Sequence, residues 1–390
     1  MNGFHRVNLG DILTLQRGFD ITKNEQSNGG IPIISSSGIS SYHNKWKVKG
    51  PGVVIGRKGT LGTVHFIRSN YWPHDTTLWI KDFKGNDPRF LSYFLQTLKL
   101  ENFDVGASNP TLNRNHLHRI KIIFPEKVDT QKRIAAILSA YDDLIENNRR
   151  RIALLEKMAE ETYREWFVRM RFPGHEKVKI IKGVPEGWRA LPFTEICEFQ
   201  KGKAPDQVFS EQQDSLLPYI NVEFLEGQGT GYVQKKRNSV ISENGDILML
   251  MDGARSGLVF RGKRGVVGST FARVAVEPLY RDVIYEFLVA SREHIVSNNT
   301  GSAIPHANKE FIHRLIQFLP VNENLIAEFN VRYRGFLEQA QNLVRQNELL
   351  VHSRDALLPR LISGKLSVEH LDIQFPSSTV EELKTEAVHA

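Results

Sequence analysis

The chain has 390 residues, 41% hydrophobic and 24% charged, with a formal net charge of +7 and one cysteine. That length fits two or three domains with ordinary cores, and a lone Cys197 excludes an internal disulfide or a zinc site built from several thiolates. No apolar run reaches spanning length and the N-terminus lacks an apolar signal core, so a soluble protein of the reducing cytoplasm, with no membrane partner, is expected.

Residues 1–128 alternate short β-like runs with Gly, Ser and Asn punctuation. Ile31-Pro32-Ile33-Ile34, Gly52-Val53-Val54-Ile55, Thr63 to Ile67, Thr77-Leu78-Trp79-Ile80 and Ile120 to Phe124 read as strands, and Phe90 to Leu98 as a short helix. The pattern predicts a mixed α/β domain, not an alternating βαβ wheel. Residues 129–172 then carry a helical period without Gly or Pro. Leu138, Ile145, Ile152, Ala159 and Trp166 recur every seven residues, with Tyr141, Leu144, Leu155 and Met158 assigned to the same face. Residues 173–187, rich in Pro, Gly and charge, read as a linker.

Residues 188–321 return to the mixed pattern, with strands expected at Ile247 to Met251, Leu258-Val259-Phe260, Phe271 to Val276 and Leu315 to Leu319. Residues 322–366 form a second helical region on Phe329, Phe336, Leu343, Leu350 and Leu357, backed by Leu337, Val344, Val351 and Leu358. Pro359 is expected to kink or weaken its last turns before Ser363-Gly364. The tail, 367–390, reads as dispensable and partly disordered beyond Val368.

The two halves repeat each other. Gly106-Ala107-Ser108-Asn109-Pro110, then Asn113, Leu117, Arg119, Ile120 and Pro125, matches Gly301-Ser302-Ala303-Ile304-Pro305, then Asn308, Ile312, Arg314, Leu315 and Pro320, each pair 195 positions apart (Gly106 to Gly301). Further upstream the register shifts, so that Gln16-x-Gly18 matches Gln200-x-Gly202. A repeat this long is a whole domain plus its connector. The expected fold is therefore α+β with an internal pseudo-two-fold repeat: two mixed α/β domains separated by two long antiparallel helices that form a coiled coil. At 1.5 Å per residue, helices of 35–40 residues span roughly 50–60 Å, long enough to act as a ruler.

Charge is concentrated at the front. Residues 1–128 hold 17 basic against 9 acidic side chains, 129–183 hold 12 against 9, 184–322 hold 15 against 16, and 323–390 hold 7 against 10. A basic first domain suits a phosphate backbone, and a solvated lysine-rich surface is the other reading.

No catalytic constellation stands out. Ser363-Gly364-Lys365-Leu366 lacks the upstream Gly and following Ser/Thr of a phosphate-binding loop, and no nucleophile elbow occurs. Cys197 reads as a buried thiol, and His116-x-His118 lacks a third metal ligand. What remains is polar. In the first copy Ser108, Asn109, Asn113, Arg114 and His116, and in the second Ser302, His306, Asn308 and Lys309, are types that contact phosphates and base edges. For the recurring Asn113 and Asn308, backbone capping is an equal alternative. Arg57-Lys58-x-Thr60 and Asp252-Gly253-Ala254-Arg255-Ser256 flank matching turns with different groups, which suits specificity. Lys45, Lys47 and Lys49, and Lys235-Lys236-Arg237 with Arg261, Lys263 and Arg264, are candidate phosphate contacts.

The first helical region, Gln131-Lys132-Arg133-Ile134-Ala135-Ala136-Ile137-Leu138-Ser139-Ala140-Tyr141-Asp142-Asp143-Leu144-Ile145 through Tyr163-Arg164-Glu165-Trp166-Phe167, resembles the central conserved region of the specificity subunits of type I restriction-modification systems. Leu357-Leu358-Pro359-Arg360-Leu361-Ile362-Ser363-Gly364-Lys365-Leu366 resembles their distal one. The resemblance covers nearly the whole chain. It implies two target recognition domains, each reading one half of a bipartite asymmetric site in double-stranded DNA, on helices that set the spacing. It also implies that two methyltransferase subunits dock on those helices and recruit two restriction subunits. S-adenosylmethionine, ATP and Mg then belong to the partners, and this chain binds no cofactor and is not an enzyme. The second helix departs from the pattern, showing Asn324-Leu325-Ile326-Ala327-Glu328 in place of the Gln-Lys-Arg-Ile-Ala opening. A coiled-coil adaptor that reads no sequence, and an enzyme with unrecognised motifs, are the competing readings.

Overall fold

A computed structural model describes residues 3–104, 110–229, 231–301 and 304–373. The chain divides into unit 1, Met1–Arg150 with Leu343–Ala390, and unit 2, Arg151–Asn342. The division cuts both long helices, so each unit owns one mixed α/β domain and one stretch of the helix pair.

In unit 1 the strands Thr14–Arg17, Thr77–Asp82, Gly52–Gly56 and Val64–Ile67 form one antiparallel sheet in that order. Gly38–His43, Ile31–Ser35 and Trp72–Pro73 form a second, in which the last two strands run parallel. The chain ends of the domain close on themselves as Phe4–Asn8 pairs with Lys121–Pro125, Phe4 opposite Pro125. The expected strands are all present, and the expected helix is Pro88–Gln96, with Pro88 in its first turn and Asp87 accepting the Phe90 N–H at 2.7 Å.

Unit 2 repeats this plan, with one extra short strand, Ile241–Ser242, in its second sheet. Its sheets are Cys197–Lys201, Phe271–Val276, Ile247–Leu250 and Val259–Arg261, and Tyr232–Gln234, Leu216–Ile220, Gly265–Val267 and Ile241–Ser242. Trp188–Pro192 pairs with Ile316–Pro320, Trp188 opposite Pro320. The linker is more ordered than a turn, with a small hairpin of Ile180–Ile181 and Val184–Pro185. The recurrent Gln-x-Gly has a steric cause. A Cβ on Gly18 would sit 2.0 Å from the His74 carbonyl oxygen, and one on Gly202 2.2 Å from that of Gly268. Only glycine lets the strand end pass this close to backbone.

The long helices are Val128–Tyr163, extended by a π turn at Arg164–Val168, and Glu323–Ile362. They pack antiparallel. In unit 1, Ile134 and Leu361 share one core, and the buried Asn148 donates to Asn347 Oδ1 at 3.0 Å and Gln346 Oε1 at 3.2 Å. In unit 2, Trp166 packs in a tilted arrangement against Phe329, ring centroids 5.8 Å apart. The seam is narrower than the sequence suggests. Leu138, Ile145, Ala159 and Trp166 are buried, but Leu144, Met158 and Val344 are 43%, 49% and 44% exposed. A two-helix pair covers only a narrow stripe of each helix, and these three positions lie on its flank. The helix also passes Pro359 and continues to Ile362, because Leu361 and Ile362 are buried in the unit 1 core and anchor the turns after the missing N–H. Nor does the chain leave the fold at Val368, which is buried, while Arg133 Nη1 donates to the Leu371 carbonyl at 3.0 Å. The rest of the tail, from 374, lies outside the described residues.

Cys197 opens the strand Cys197–Lys201 and is 8% exposed, and burial pushes its thiol up to about 12. We expect the native chain at pH 8 to react with a thiol reagent at least about 100-fold more slowly than the guanidinium-unfolded chain, because little thiolate forms and little can be reached. Comparable rates in a stopped-flow labelling assay would contradict the buried assignment.

Candidate nucleic-acid interface

Two sets of candidates that are distant in sequence meet in the structure. In unit 1 the turn carrying Arg57 and Lys58 is bridged to the repeated loop: Lys58 pairs with Thr111, and the Leu112 N–H donates to the Arg57 carbonyl at 3.0 Å. In unit 2 Asp252 pairs with His306, the Gly253 N–H donates to the Pro305 carbonyl at 2.9 Å, and that of Ala307 to Met251 at 2.8 Å. Backbone bonds therefore hold turn and loop together in both copies, while the side chains they present differ.

In unit 1 Arg17 Nη2 lies 2.8 Å from Asp75 Oδ2. Arg57 sits beside this pair, its pKa lowered by burial and by the neighbouring Arg17, and among the described residues its buried Nη1 has no hydrogen-bond partner. A guanidinium with an unspent donor, in a site holding two cations for one carboxylate, is equipped to take an anion. In unit 2 the equivalent of Arg17 is Lys201, whose Nζ lies 2.5 Å from Asp252, and His306 Nδ1 lies 2.8 Å from the same carboxylate. Burial works against the charged Asp252, but the hydrogen bonds from Lys201 and His306 outweigh it and hold the carboxyl below its ordinary range. The same position thus offers a donor in one copy and an acceptor flanked by donors in the other. Sequence reading missed Arg17, Asp75 and Lys201, because only the fold brings the end of an edge strand against the turn.

A second feature is common to both units. The hairpin Ile31–Ser35 with Gly38–His43 in unit 1, and Leu216–Ile220 with Tyr232–Gln234 in unit 2, have the same pairing, and in each the second strand runs into a cationic loop. Those loops carry Lys45, Lys47 and Lys49, and Lys235, Lys236 and Arg237, with the latter three exposed. Each loop borders a cleft. One of about 360 Å³ is lined by Asp20, His43, Lys45, Lys47 and Trp72, and one of about 270 Å³ by Lys203, Asp206, Phe209, Lys236 and Asn238. Lys47 Nζ lies 4.9 Å from the Trp72 ring centroid, and Lys236 pairs with Asp206. No sequence offset links the two cation clusters, so only the fold shows them to be equivalent.

The remaining candidates fall into three groups. Asn113 and Asn308 cap the short helices Arg114–Leu117 and Lys309–His313, accepting from the N–H of Asn115 at 2.9 Å and Phe311 at 3.1 Å, which accounts for their recurrence. Arg114, His116 and Lys309 lie exposed on those helices. Ser256 is buried and accepts from Asn299 Nδ2 at 2.8 Å, Arg255 pairs with Glu226 at 2.6 Å, and the Thr60 carbonyl accepts from Thr63. Lys263 lies 5.3 Å from the Phe224 ring and Arg264 3.9 Å from Glu243, both exposed. Arg261 turns inward, 2.7 Å from Asp282 and 2.9 Å from the Tyr333 hydroxyl, so its guanidinium is occupied within the core. Ser108, Asn109 and Ser302 lie outside the described residues.

His118 Nε2 accepts the Leu15 N–H at 2.9 Å, and burial followed by nearby Lys84 and Arg114 lowers its pKa, so it is a neutral structural acceptor. Asp20, His74 and Asp75 bring three possible metal-ligand atoms within 4.8 Å of one another, but Arg17 already neutralises Asp75. Among the described residues no helix is long and apolar enough to cross a membrane.

A family model described as the type I restriction modification DNA specificity domain matches residues 1–157 and 185–329. The MjaIX specificity subunit of Methanocaldococcus jannaschii is 25% identical over 311 residues, covering 72% of this chain and 70% of that one. The MjaVIII specificity subunit of the same organism is 27% identical over 203 residues, covering 50% of this chain and 47%, under half, of that relative. The crystal structure of a type I restriction-modification S subunit from M. genitalium shares the fold, with a TM-score of 0.60 at 17% identity over 92% of this chain and 96% of that one. With two matched segments, each spanning one of the two repeated mixed α/β domains, this chain belongs to the type I restriction modification DNA specificity domain family.

Proposed function

We propose that this chain is the specificity subunit of a type I restriction-modification complex and reads double-stranded DNA as a bipartite asymmetric target, one half-site per recognition domain. The observation that carries this reading is the pair of cationic loops that two divergent sequences place after the same strand of the same hairpin. Their lysines and arginine suit phosphates, whose contacts supply affinity and register without sequence information. Base discrimination belongs to the turn-and-loop sites, where Arg17 and Arg57 stand against Lys201, Asp252 and His306. Arginine favours the acceptor edge of guanine, and a carboxylate favours the amino group of cytosine.

In this reading the chain performs no bond chemistry. Two methyltransferase subunits dock on its helices and two restriction subunits join through them, bringing S-adenosylmethionine, ATP and Mg to a complex that works in the cytoplasm. The long helices have 36 and 40 residues, about 54 and 60 Å at the usual rise, and we assign the spacer of the target to their length.

Three outcomes are expected. Replacing Lys235, Lys236 and Arg237 together by Ala should weaken binding to every duplex alike. It should also lower the slope of log affinity against log salt by about 2 to 3, as measured by anisotropy with the methyltransferase subunits present. An unchanged slope would remove these side chains from the interface. Exchanging residues 1–128 for another domain of this family should alter one half of the motif found by genome-wide mapping of methylated bases; alteration of both halves would refute independent reading. Lengthening the first helix by whole turns between Ile134 and Trp166 should change the spacer alone, and changed half-site bases would refute the ruler. If no motif is methylated while the same methyltransferase is active beside another specificity chain, the adaptor reading gains.

A further inference from the structure

The contact between each recognition domain and its long helix is built twice with the charges exchanged. The short helices Pro88–Gln96 and Arg281–Ala290 follow corresponding strands and align on Phe94-Leu95 and Phe287-Leu288, which sets Arg89 opposite Asp282 and Tyr93 opposite Glu286 in the alignment. All four of these polar residues are buried, at 5%, 4%, 4% and 7% exposed. Every one of them faces the long helix of its own unit.

In unit 1 the short helix is the cationic and donating side. Arg89 Nη2 lies 3.3 Å from Asp143 Oδ1, and the Tyr93 hydroxyl donates to Asp142, with both carboxylates on the first long helix. Arg68, just past the strand Val64–Ile67, reaches Asp143 at 2.5 Å, and Arg354 of the second long helix reaches Asp142 at 2.6 Å. In unit 2 the long helix is the cationic and donating side. Arg334 Nε lies 2.6 Å from Asp282 Oδ2, and the Tyr333 hydroxyl donates to Glu286. Arg261, at the end of the strand Val259–Arg261, reaches Asp282 at 2.7 Å. The aromatic contact is exchanged too: helix Arg89 lies 5.3 Å from the strand ring of Phe66, whereas strand Arg261 lies 3.8 Å from the helix ring of Tyr285.

Each unit therefore joins two guanidiniums to one carboxylate, with the short-helix member, Arg89 or Asp282, buried, its partners more exposed, and an arginine at the end of a preceding strand common to both. What differs is which helix carries the carboxylate. We infer that the two recognition domains are mounted through sockets of opposite polarity, so that each long helix accepts its own domain and rejects the other. The first helix offers an acidic socket to a basic, tyrosine-bearing helix, and the second offers a basic, tyrosine-bearing socket to an acidic one. Buried pairs add little stability over apolar packing, but a mismatch is severe, because it buries charge without compensation. The second domain on the first helix would set Asp282 and Glu286 against Asp142 and Asp143. The first domain on the second helix would set Arg89 against Arg334. The order of the domains along the chain is thereby fixed by the packing of each unit and does not depend on which DNA they read.

The test is to convert the socket of unit 1 to the polarity of unit 2 in the full chain. Arg89→Asp alone and Asp143→Arg alone should each lower the melting temperature of the first domain by more than about 5 °C, the scale expected for breaking a buried pair in a unit of this size. The double variant, R89D with D143R, reproduces the unit 2 trio around Arg68 and should recover more than half of that loss. If either single variant gives no soluble chain, recovery of soluble, cooperatively unfolding protein in the double variant is the supporting result. Single variants without effect, or a double variant no better than the worse single one, would overturn the proposal. Because the readout is unfolding, it is independent of DNA binding.

Discussion

Neither mixed α/β domain completes its core without the helix pair. In unit 1, Ile134, Ala135, Leu138, Leu361 and Ile362 of the long helices lie in the same buried cluster as Leu9, Ile55, Phe90 and Phe94 of the domain. In unit 2, Ala159, Tyr163, Trp166, Ile326 and Phe329 lie with Phe193, Met249, Val274 and Leu288. A domain of about 130 residues buries a smaller share of its surface than a larger one, so shared apolar surface of this kind is a substantial part of its stability. A long helix exposed along its polar flanks needs the same contacts in return. Domain and helix therefore stabilise each other, and a domain that discards its helix would expose a broad apolar face.

This dependence explains where variation is tolerated. The strand ends, the hairpin loops and the turn at Arg57 or Asp252 project from scaffold that the helix contact already holds, so their side chains can change without loss of core. Arg57 and Asp252 occupy the same turn and carry opposite charges, while the backbone bonds to the loops behind them persist. Function placed on segments that a rigid framework positions can diverge quickly, whereas Asn113 and Asn308, which cap the helices behind those loops, recur in both copies.

Much of the fold was legible in the sequence, because long-period repetition and strand-to-helix changes of hydrophobic period survive divergence between the halves. The strands at 52–56 and 247–250, and the closing strands at 121–125 and 316–320, fall where the repeat predicts. Leu144, Met158 and Val344 were misread because a heptad count cannot tell a seam position from its flank. The candidate site was legible only in pieces. Lys235, Lys236 and Arg237 are recognisable as a cationic cluster, but their equivalence to Lys45, Lys47 and Lys49 depends on which strand precedes each loop. Arg261 resembles any surface arginine in sequence, and its burial follows from Asp282 and Tyr333, 21 and 72 positions away.

Asn148 shows how the helix pair itself is kept in register. It is 1% exposed, and its amide donates to Asn347 and Gln346, while Asn347 Nδ2 donates to the Ile145 carbonyl at 3.4 Å. An apolar residue there would pack as well or better, and a sliding of the helices by one turn would leave this amide among aliphatic groups without a partner, at a cost of a few kcal/mol. The aliphatic residues of the seam, by contrast, tolerate several alignments at similar cost. A buried polar contact near the middle of the pair thus selects one alignment from many. In a protein whose proposed task is to hold a spacing, a contact that penalises slippage has more value than the extra stability a leucine would supply.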